Sequence, residues 1–210
     1  MADKTIYLMR HGETDMNREQ RLQGQIDCPL NENGVAEALR TAEILQRSGI
    51  FFERIYSSPL KRAVRTAEII GGGIEIITEP LITEMSFGSY EGMEYTAIGG
   101  QLQEYIHDPE NVPAPDSVET VKSITSRTGT FLRRIMADKG EGNILAVSHG
   151  IALRSMLWNL CPPGERSSVW RMPIRNCVIY VCEVKNGLSC GIRRAEELSA
   201  EPAHDTSKVF

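Results

Sequence analysis

Short β-prone runs alternate with stretches of helical period along most of this chain, and that alternation restricts it to an α/β fold with a largely parallel sheet. Thr5–Met9, Arg54–Ser57, Ile74–Thr78 and Asn143–Val147 read as strands. Gly34–Gln46 places Val35, Ala38, Leu39, Ala42 and Leu45 on one helical face, with Gly49 as a stop. Ser58-Pro59 reads as a helix start, serine as cap and proline at the first position, running to Ile70 before three glycines. Val118–Met136 and Ile151–Leu160 follow as helices. Val178–Glu183 and Ser189–Arg193 flank Asn186-Gly187, a strong hairpin turn.

From Glu79 to about Ser117 the pattern loosens among glycines and prolines, with one short helix expected near Ala97–Tyr105. Such segments are often lids or binding loops. The 210 residues suit one domain, 1–210, with a lid-like insertion at about 85–117 and a loosely held tail at about 199–210. Met93, Tyr95, Ile98, Leu102 and Tyr105 either line that lid or anchor it to the core.

A net charge of −5 provides no field for nucleic acid or an anionic membrane. No apolar run approaches the ~20 residues of a membrane span. Five scattered cysteines without a C-x-x-C pair argue against a disulfide framework or a zinc site. The expectation is a cytoplasmic protein with reduced thiols and neither metal nor cofactor.

Ligands of open parallel sheets bind at the carboxyl ends of the strands, which selects residues. Thr5–Met9 runs into Arg10-His11-Gly12, and Asn143–Val147 into Ser148-His149-Gly150. Arg54–Ser57 ends just before Lys61, Arg62 and Arg65. One histidine after a buried strand is ordinarily a satisfied core residue; two in the same setting favour a site. His107 and His204 lie in polar stretches and read as surface residues. A helix start behaves as roughly +0.5 charge and disfavours cations, and no acidic side chain follows until Glu68. A solvated face accounts for Lys61 and Arg65, whereas an anion held at the helix start explains Arg62 better. Phosphate fits, because guanidinium grips its oxygens as a fork.

These residues stand within longer blocks. Leu8-Met9-Arg10-His11-Gly12-Glu13-Thr14 with Asn17, then Gln23-Gly24, Asp27-Cys28-Pro29-Leu30 and Gly34, open the series. Tyr56-Ser57-Ser58-Pro59-Leu60-Lys61-Arg62-Ala63, Glu84 with Phe87-Gly88 and Tyr90-Glu91-Gly92, and Val147-Ser148-His149-Gly150 complete it. In this order they resemble the histidine phosphatase (phosphoglycerate mutase-like) superfamily, its small broad-specificity phosphatase branch. The resemblance implies a three-layer α/β/α fold with a mostly parallel central sheet. It implies His11 as the nucleophile that becomes phosphohistidine, with Arg10, Arg62 and His149 holding phosphoryl oxygens. Asn17, Gln23 and Gly24 would support the phosphate, and Glu84 would protonate the leaving oxygen.

The chemistry is consistent with those roles. Phosphoryl transfer needs in-line positioning and charge stabilisation, which Arg10, Arg62 and a protonated His149 would supply without a metal. His11 must attack as neutral imidazole, its other nitrogen donating to a carbonyl. Glu84 serves as acid if partial burial raises its pKa. Glu13 reads as a carboxylate that orients the loop or pairs with an arginine. Ser148 lacks the G-x-S-x-G setting of a serine nucleophile. Glu79 and Glu91 read as surface or loop-stabilising residues.

The partner is then a phosphorylated small molecule, and a homodimer is compatible with the sequence. Mutase chemistry is the alternative. In cofactor-dependent mutases an arginine follows the acid glutamate, but here Met85 follows Glu84 and no lysine or arginine stands from Ser89 to Val121. Arg18, Arg21 and Arg175 remain available to grip a carboxylate. Pro115-Asp116-Ser117 replaces a Gly-Glu-Ser common in the phosphatases, leaving Asp116 either in the glutamate's place or as a helix cap. A catalytically idle phospho-ligand binder is a third reading.

Overall fold

A computed structural model describes residues 3–198. Six strands, β1 (Lys4–Arg10), β2 (Arg54–Ser57), β3 (Ile76–Thr78), β4 (Gly142–Ser148), β5 (Ile179–Lys185) and β6 (Leu188–Arg194), form one sheet in the order β3-β2-β4-β1-β5-β6. Strands β1 to β4 run parallel, while β5 pairs antiparallel with β1 and with β6. The helices are α1 (Asp15–Arg18), α2 (Glu32–Arg47), α3 (Lys61–Gly71), α4 (Gly100–His107), α5 (Val121–Ala137), α6 (Gly150–Leu160) and α7 (Arg166–Val169).

The continuous apolar run of β1 is what a strand covered on both faces requires. Alternate side chains feed opposite cores. Ile6 and Leu8 pack with Phe131, Leu132 and Ile135 of α5 and Leu153 and Met156 of α6. Tyr7 and Met9 pack with Ala38 and Leu45 of α2 and Ala63 and Ala67 of α3. Two helical layers therefore sandwich the sheet, as expected. Asn186 and Gly187 take φ of 52° and 78°, the left-handed pair a two-residue hairpin requires.

Several boundaries differ from the sequence expectation, each for a local reason. Helix α3 starts at Lys61, because the Ser58 hydroxyl lies 2.7 Å from His149 Nε2 instead of capping the helix. Its first amide is met by an acid from elsewhere: Lys61 N–H donates to Asp27 Oδ1 at 2.7 Å. The acid compensating this helix start is Asp27, which corrects the reason given for Arg62. Helix α5 starts at Val121 with Thr120 as its cap, so Asp116 does not play that part. Strand β3 loses Ile74 and Glu75 to the turn that follows Gly72 and Gly73.

The 85–117 segment carries short 3-10 turns and α4, displaced slightly from the expected helix. Ile98, Leu102 and Tyr105 are buried with Met85, Phe87 and Trp170. They anchor the segment to the body, while Met93 is exposed and Tyr95 is half-buried. The expected tail at 199–210 lies outside the described residues.

Candidate active site

Register alone brings the two histidines together. Arg10 pairs with Ser148 across the parallel β1–β4 ladder, so His11 and His149 stand one step beyond it on adjacent strands. Adjacent strands lie ~4.8 Å apart, and the imidazole centroids are 5.1 Å apart. The ladder continues past the strand ends: His11 N–H donates to Ser148 O at 3.0 Å, and Ser58 N–H to Val147 O at 3.0 Å. Gly12 lets the histidine loop pack on the start of α2: a β-carbon there would meet Gly34 O at 2.5 Å.

His11 Nδ1 lies 2.7 Å from Gly12 O, and Arg62 Nε donates to His11 Nε2 at 3.3 Å. Both contacts are satisfied only by neutral imidazole protonated on Nδ1, which leaves the Nε2 lone pair as the reactive one. Burial, then Arg62 and Arg10, hold the His11 pKa well below the ordinary value. Burial, then Arg62, His11 and Arg10, do the same to His149. The expectation of a protonated His149 is thus corrected for the protein by itself: two guanidinium groups beside a fully buried ring keep it neutral.

A pH dependence of stability follows. Below the unfolded value of 6.5 the unfolded chain binds protons that these two folded imidazoles refuse. Their stabilising contribution is full above about pH 6.5 and is lost as pH falls toward the folded values, by up to ~1.4 kcal/mol per pH unit for each ring. Urea unfolding at pH 7.5, 6.5 and 5.5 should show this slope, and a shallower one in His11→Gln. Equal slopes in the two proteins would contradict a neutral buried His11.

The arginines are held by neutral carbonyls. Arg62 donates to Gly24 O at 2.7 Å and Ile26 O at 2.6 Å, and Arg10 donates to Ile174 O. Burial lowers both pKa values, that of Arg10 to about 10. Among the described residues neither makes an ion pair within 4 Å.

Glu84 meets the start of α6. Its Oε1 accepts from Met85 N–H at 2.9 Å and Ala152 N–H at 3.0 Å, and its Oε2 from Ile151 N–H at 3.2 Å. Arg127, which the sequence reading missed, clamps the backbone leading to it. Its guanidinium donates to Leu81 O, Thr83 O and Glu84 O, and pairs with Glu119.

Arg10, His11, Gln23, Gly24, Arg62 and Glu84 line one cleft, together with Phe87 and Ile151. His149 sits behind His11, fully buried. Asn17 is tied to the Thr14 backbone N–H at 3.2 Å and caps α1 with Thr14. Asn176 was also missed; it donates to His11 O at 2.9 Å and supports the histidine loop. Neither Ser58 nor Asn176 carries a periodicity signal that would have singled it out.

Among the described residues Arg10 Nε, Asn17 Nδ2, His149 Nδ1, Arg154 Nη1 and Asn176 Oδ1 are buried without a hydrogen-bond partner. Native interiors rarely leave such groups unpaired, and the guanidinium donors among them suit an anion. Glu13 orients its loop through Asn31 Nδ2 at 2.8 Å and contacts no arginine. Ser148 donates to Ile82 O at 2.7 Å and serves the strand. Glu91 ties Gln25 N–H to Phe87 N–H, each at 3.0 Å. Glu79 is buried, pairs with Arg134 and accepts from Leu81 N–H at 3.0 Å, the loop-stabilising of its two expected roles. Among the described residues no cluster of three or more His, Cys, Asp or Glu is arranged to hold a metal, and no helix is long and apolar enough to cross a membrane.

A model of the histidine phosphatase superfamily, branch 1, matches residues 6–192. The chain belongs to that superfamily. It is 34% identical over 190 residues to a probable phosphoglycerate mutase, GpmB, of Proteus mirabilis, covering 86% of this chain and 85% of that protein. It is 34% identical over 157 residues to an uncharacterized phosphatase, PhoE, of Bacillus subtilis, covering 72% and 75%. A phosphoserine phosphatase mutant from Entamoeba histolytica, solved in complex with phosphoserine, superposes with a TM-score of 0.78 at 24% identity, covering 93% of this chain and 99% of that one. At that identity the likeness speaks for the fold. Within this superfamily member Asp116 is exposed, whereas Glu119 meets Arg127 Nε at 2.9 Å. The carboxylate that organises this region is therefore three residues beyond the one the sequence suggested.

Proposed function

We propose that this chain is a phosphatase that hydrolyses small-molecule phosphate monoesters through a phosphohistidine on His11. The observation that carries this reading is the His11 ring, held neutral between Gly12 O at 2.7 Å and Arg62 Nε at 3.3 Å at the edge of a cation-lined cleft. In the first step His11 Nε2 attacks phosphorus, the ester P–O bond breaks, and Glu84 gives the leaving oxygen a proton. In the second, Glu84 takes a proton from water as it attacks the phosphohistidine, releasing inorganic phosphate and free His11. Arg10, Arg62 and His149 stabilise the equatorial oxygens, and a bound dianion would favour the protonated His149 that the protein alone disfavours. Asn17, Gln23 and Gly24 complete the phosphate pocket.

Mutase-type transfer is the second reading, favoured by the name of the Proteus relative. Against it, the residue after Glu84 is Met85, buried among Leu22, Phe87 and Trp170, so no cation stands there to hold a carboxylate. Phosphate release from para-nitrophenyl phosphate and a panel of phosphorylated metabolites, with and without EDTA, tests the proposal. Release at the same rate in chelator is expected. Interconversion of phosphoglycerates without phosphate release would favour the mutase, and a strict magnesium requirement would reject the metal-independent scheme.

A further inference from the structure

A third buried guanidinium, Arg154, is 1% exposed, stands on α6 with the cleft-lining Ile151, and is absent from the scheme above. Arg154 follows Gly150 by four residues on α6, so the two share a helix face. Helical side chains lean toward the helix N-terminus, and the N-terminus of α6 is the cleft wall, where Ile151 lines the space and its N–H meets Glu84. Over that same face lies Arg10, whose Cζ would be 3.9 Å from a β-carbon at Gly150.

The anchoring of Arg154 resembles that of Arg10. Its Nε and Nη2 donate to Met172 O at 2.9 and 2.7 Å, two residues before the carbonyl that holds Arg10. Those two positions are at most about 7 Å apart along the chain. A carbonyl brings no negative charge, and among the described residues Arg154 has no carboxylate within ion-pair distance. Its Nη1 has no hydrogen-bond partner although fully buried. Glu84 is the carboxylate whose field reaches Arg10, Arg62 and Arg154 alike.

When Glu84 carries the proton for the leaving oxygen it contributes no charge. Arg10 and Arg62 also lie in the field of Glu37 and Asp27, whereas Glu84 is the one carboxylate whose field acts on Arg154, so its buried charge is the least matched of the three and is unfavourable unless an anion meets it.

We infer that Arg154 is a specificity-determining residue that binds a second anionic group of the substrate, a carboxylate or a second phosphate, one helical turn from the reacting phosphoryl group. The inference rests on the phosphatase reading. It narrows the substrate class to phosphate esters with a second anion close to the ester, and disfavours neutral sugar monophosphates and aryl phosphates. It also places on α6 the cation that the 89–121 stretch lacks.

Two substrate pairs test it and distinguish the source of the anion. O-phosphoserine against O-phosphoethanolamine differs by a carboxylate, and glucose 1,6-bisphosphate against glucose 1-phosphate by a phosphate. In the intact protein at least one pair should differ by 100-fold or more in kcat/KM in favour of the doubly anionic member. Arg154→Gln should reduce that ratio at least 30-fold, chiefly through KM, and Arg154→Lys should restore part of it. A guanidinium that only ties α6 to Met172 would lower both members of a pair alike and leave the ratio unchanged, which would overturn the inference. So would ratios near one for both pairs in the intact protein. If no substrate releases phosphate at all, the phosphatase reading itself fails. Should Arg154→Gln not fold, the uncharged Arg154→Met decides: a ratio equal to that of the intact protein removes Arg154 from substrate recognition.

Discussion

Replacing His11 by alanine is expected to abolish turnover, a loss of at least about 10⁴-fold in kcat, as for removal of a nucleophile that acts in concert with its neighbours. The geometry makes this the most consequential position. The ring is 2% exposed and its tautomer is set by Gly12 O. The guanidinium groups that lower its basicity are the same ones available to the phosphoryl oxygens. Ser148, next to the second histidine, is committed to Ile82 O and is not available to substitute. The cleft should survive the change, because Arg62 keeps its bonds to Gly24 O and Ile26 O. Calorimetry should therefore still show inorganic phosphate binding to His11→Ala. In the intact protein, rapid quench in alkaline denaturant and digestion at high pH should place acid-labile, base-stable phosphate on the peptide containing His11. Phosphate on a serine instead, or near-normal turnover by the alanine variant, would end the covalent scheme.

Arg62→Ala is the second large effect. Loss of one preorganised donor to developing charge is worth about 3–4 kcal/mol, or 10²–10³-fold in kcat. Here the side chain has two roles. Its Nε meets the nucleophile, and its two terminal nitrogens hold the Gly24 and Ile26 carbonyls and so shape the cleft wall. The loss should exceed that of a single donor, with KM rising as kcat falls. Arg62→Lys should recover only part, because an ammonium cannot span both carbonyls while touching His11. Thermal unfolding of both variants separates the roles: a variant that folds as the parent yet turns over 10²-fold more slowly places the loss in the chemistry. Unimpaired kcat in a folded Arg62→Ala protein would remove Arg62 from the site.

Much of the fold was legible because it rests on local rules. The β1 run, the α2 face and the Asn186-Gly187 turn each declare themselves within a few residues. The misses share a cause: a side chain read as serving its own helix was taken by a distant partner. Ser58 looks like a helix cap, but its hydroxyl turns to His149, and Asp27 caps α3 in its place. Asp116 reads either as the functional carboxylate or as a helix cap, but it faces solvent, while Thr120 caps α5 and Glu119 meets Arg127. Arg127, Asn176 and Arg154 act across elements remote in sequence, where spacing carries no signal.

The amino-acid sequence by itself determined that two histidines and two arginines would stand at the carboxyl ends of strands, because strand and helix periodicity are properties of neighbouring residues. It left open which strands would be neighbours. Only the tertiary structure inserted β4 between β1 and β2, bringing His149 against His11 and Ser58, and brought Glu84 onto the amides that open α6. The physical reason is burial. Imidazole and guanidinium groups take their ionisation and their unpaired donors from the water they lose, and that loss is a property of the packed whole.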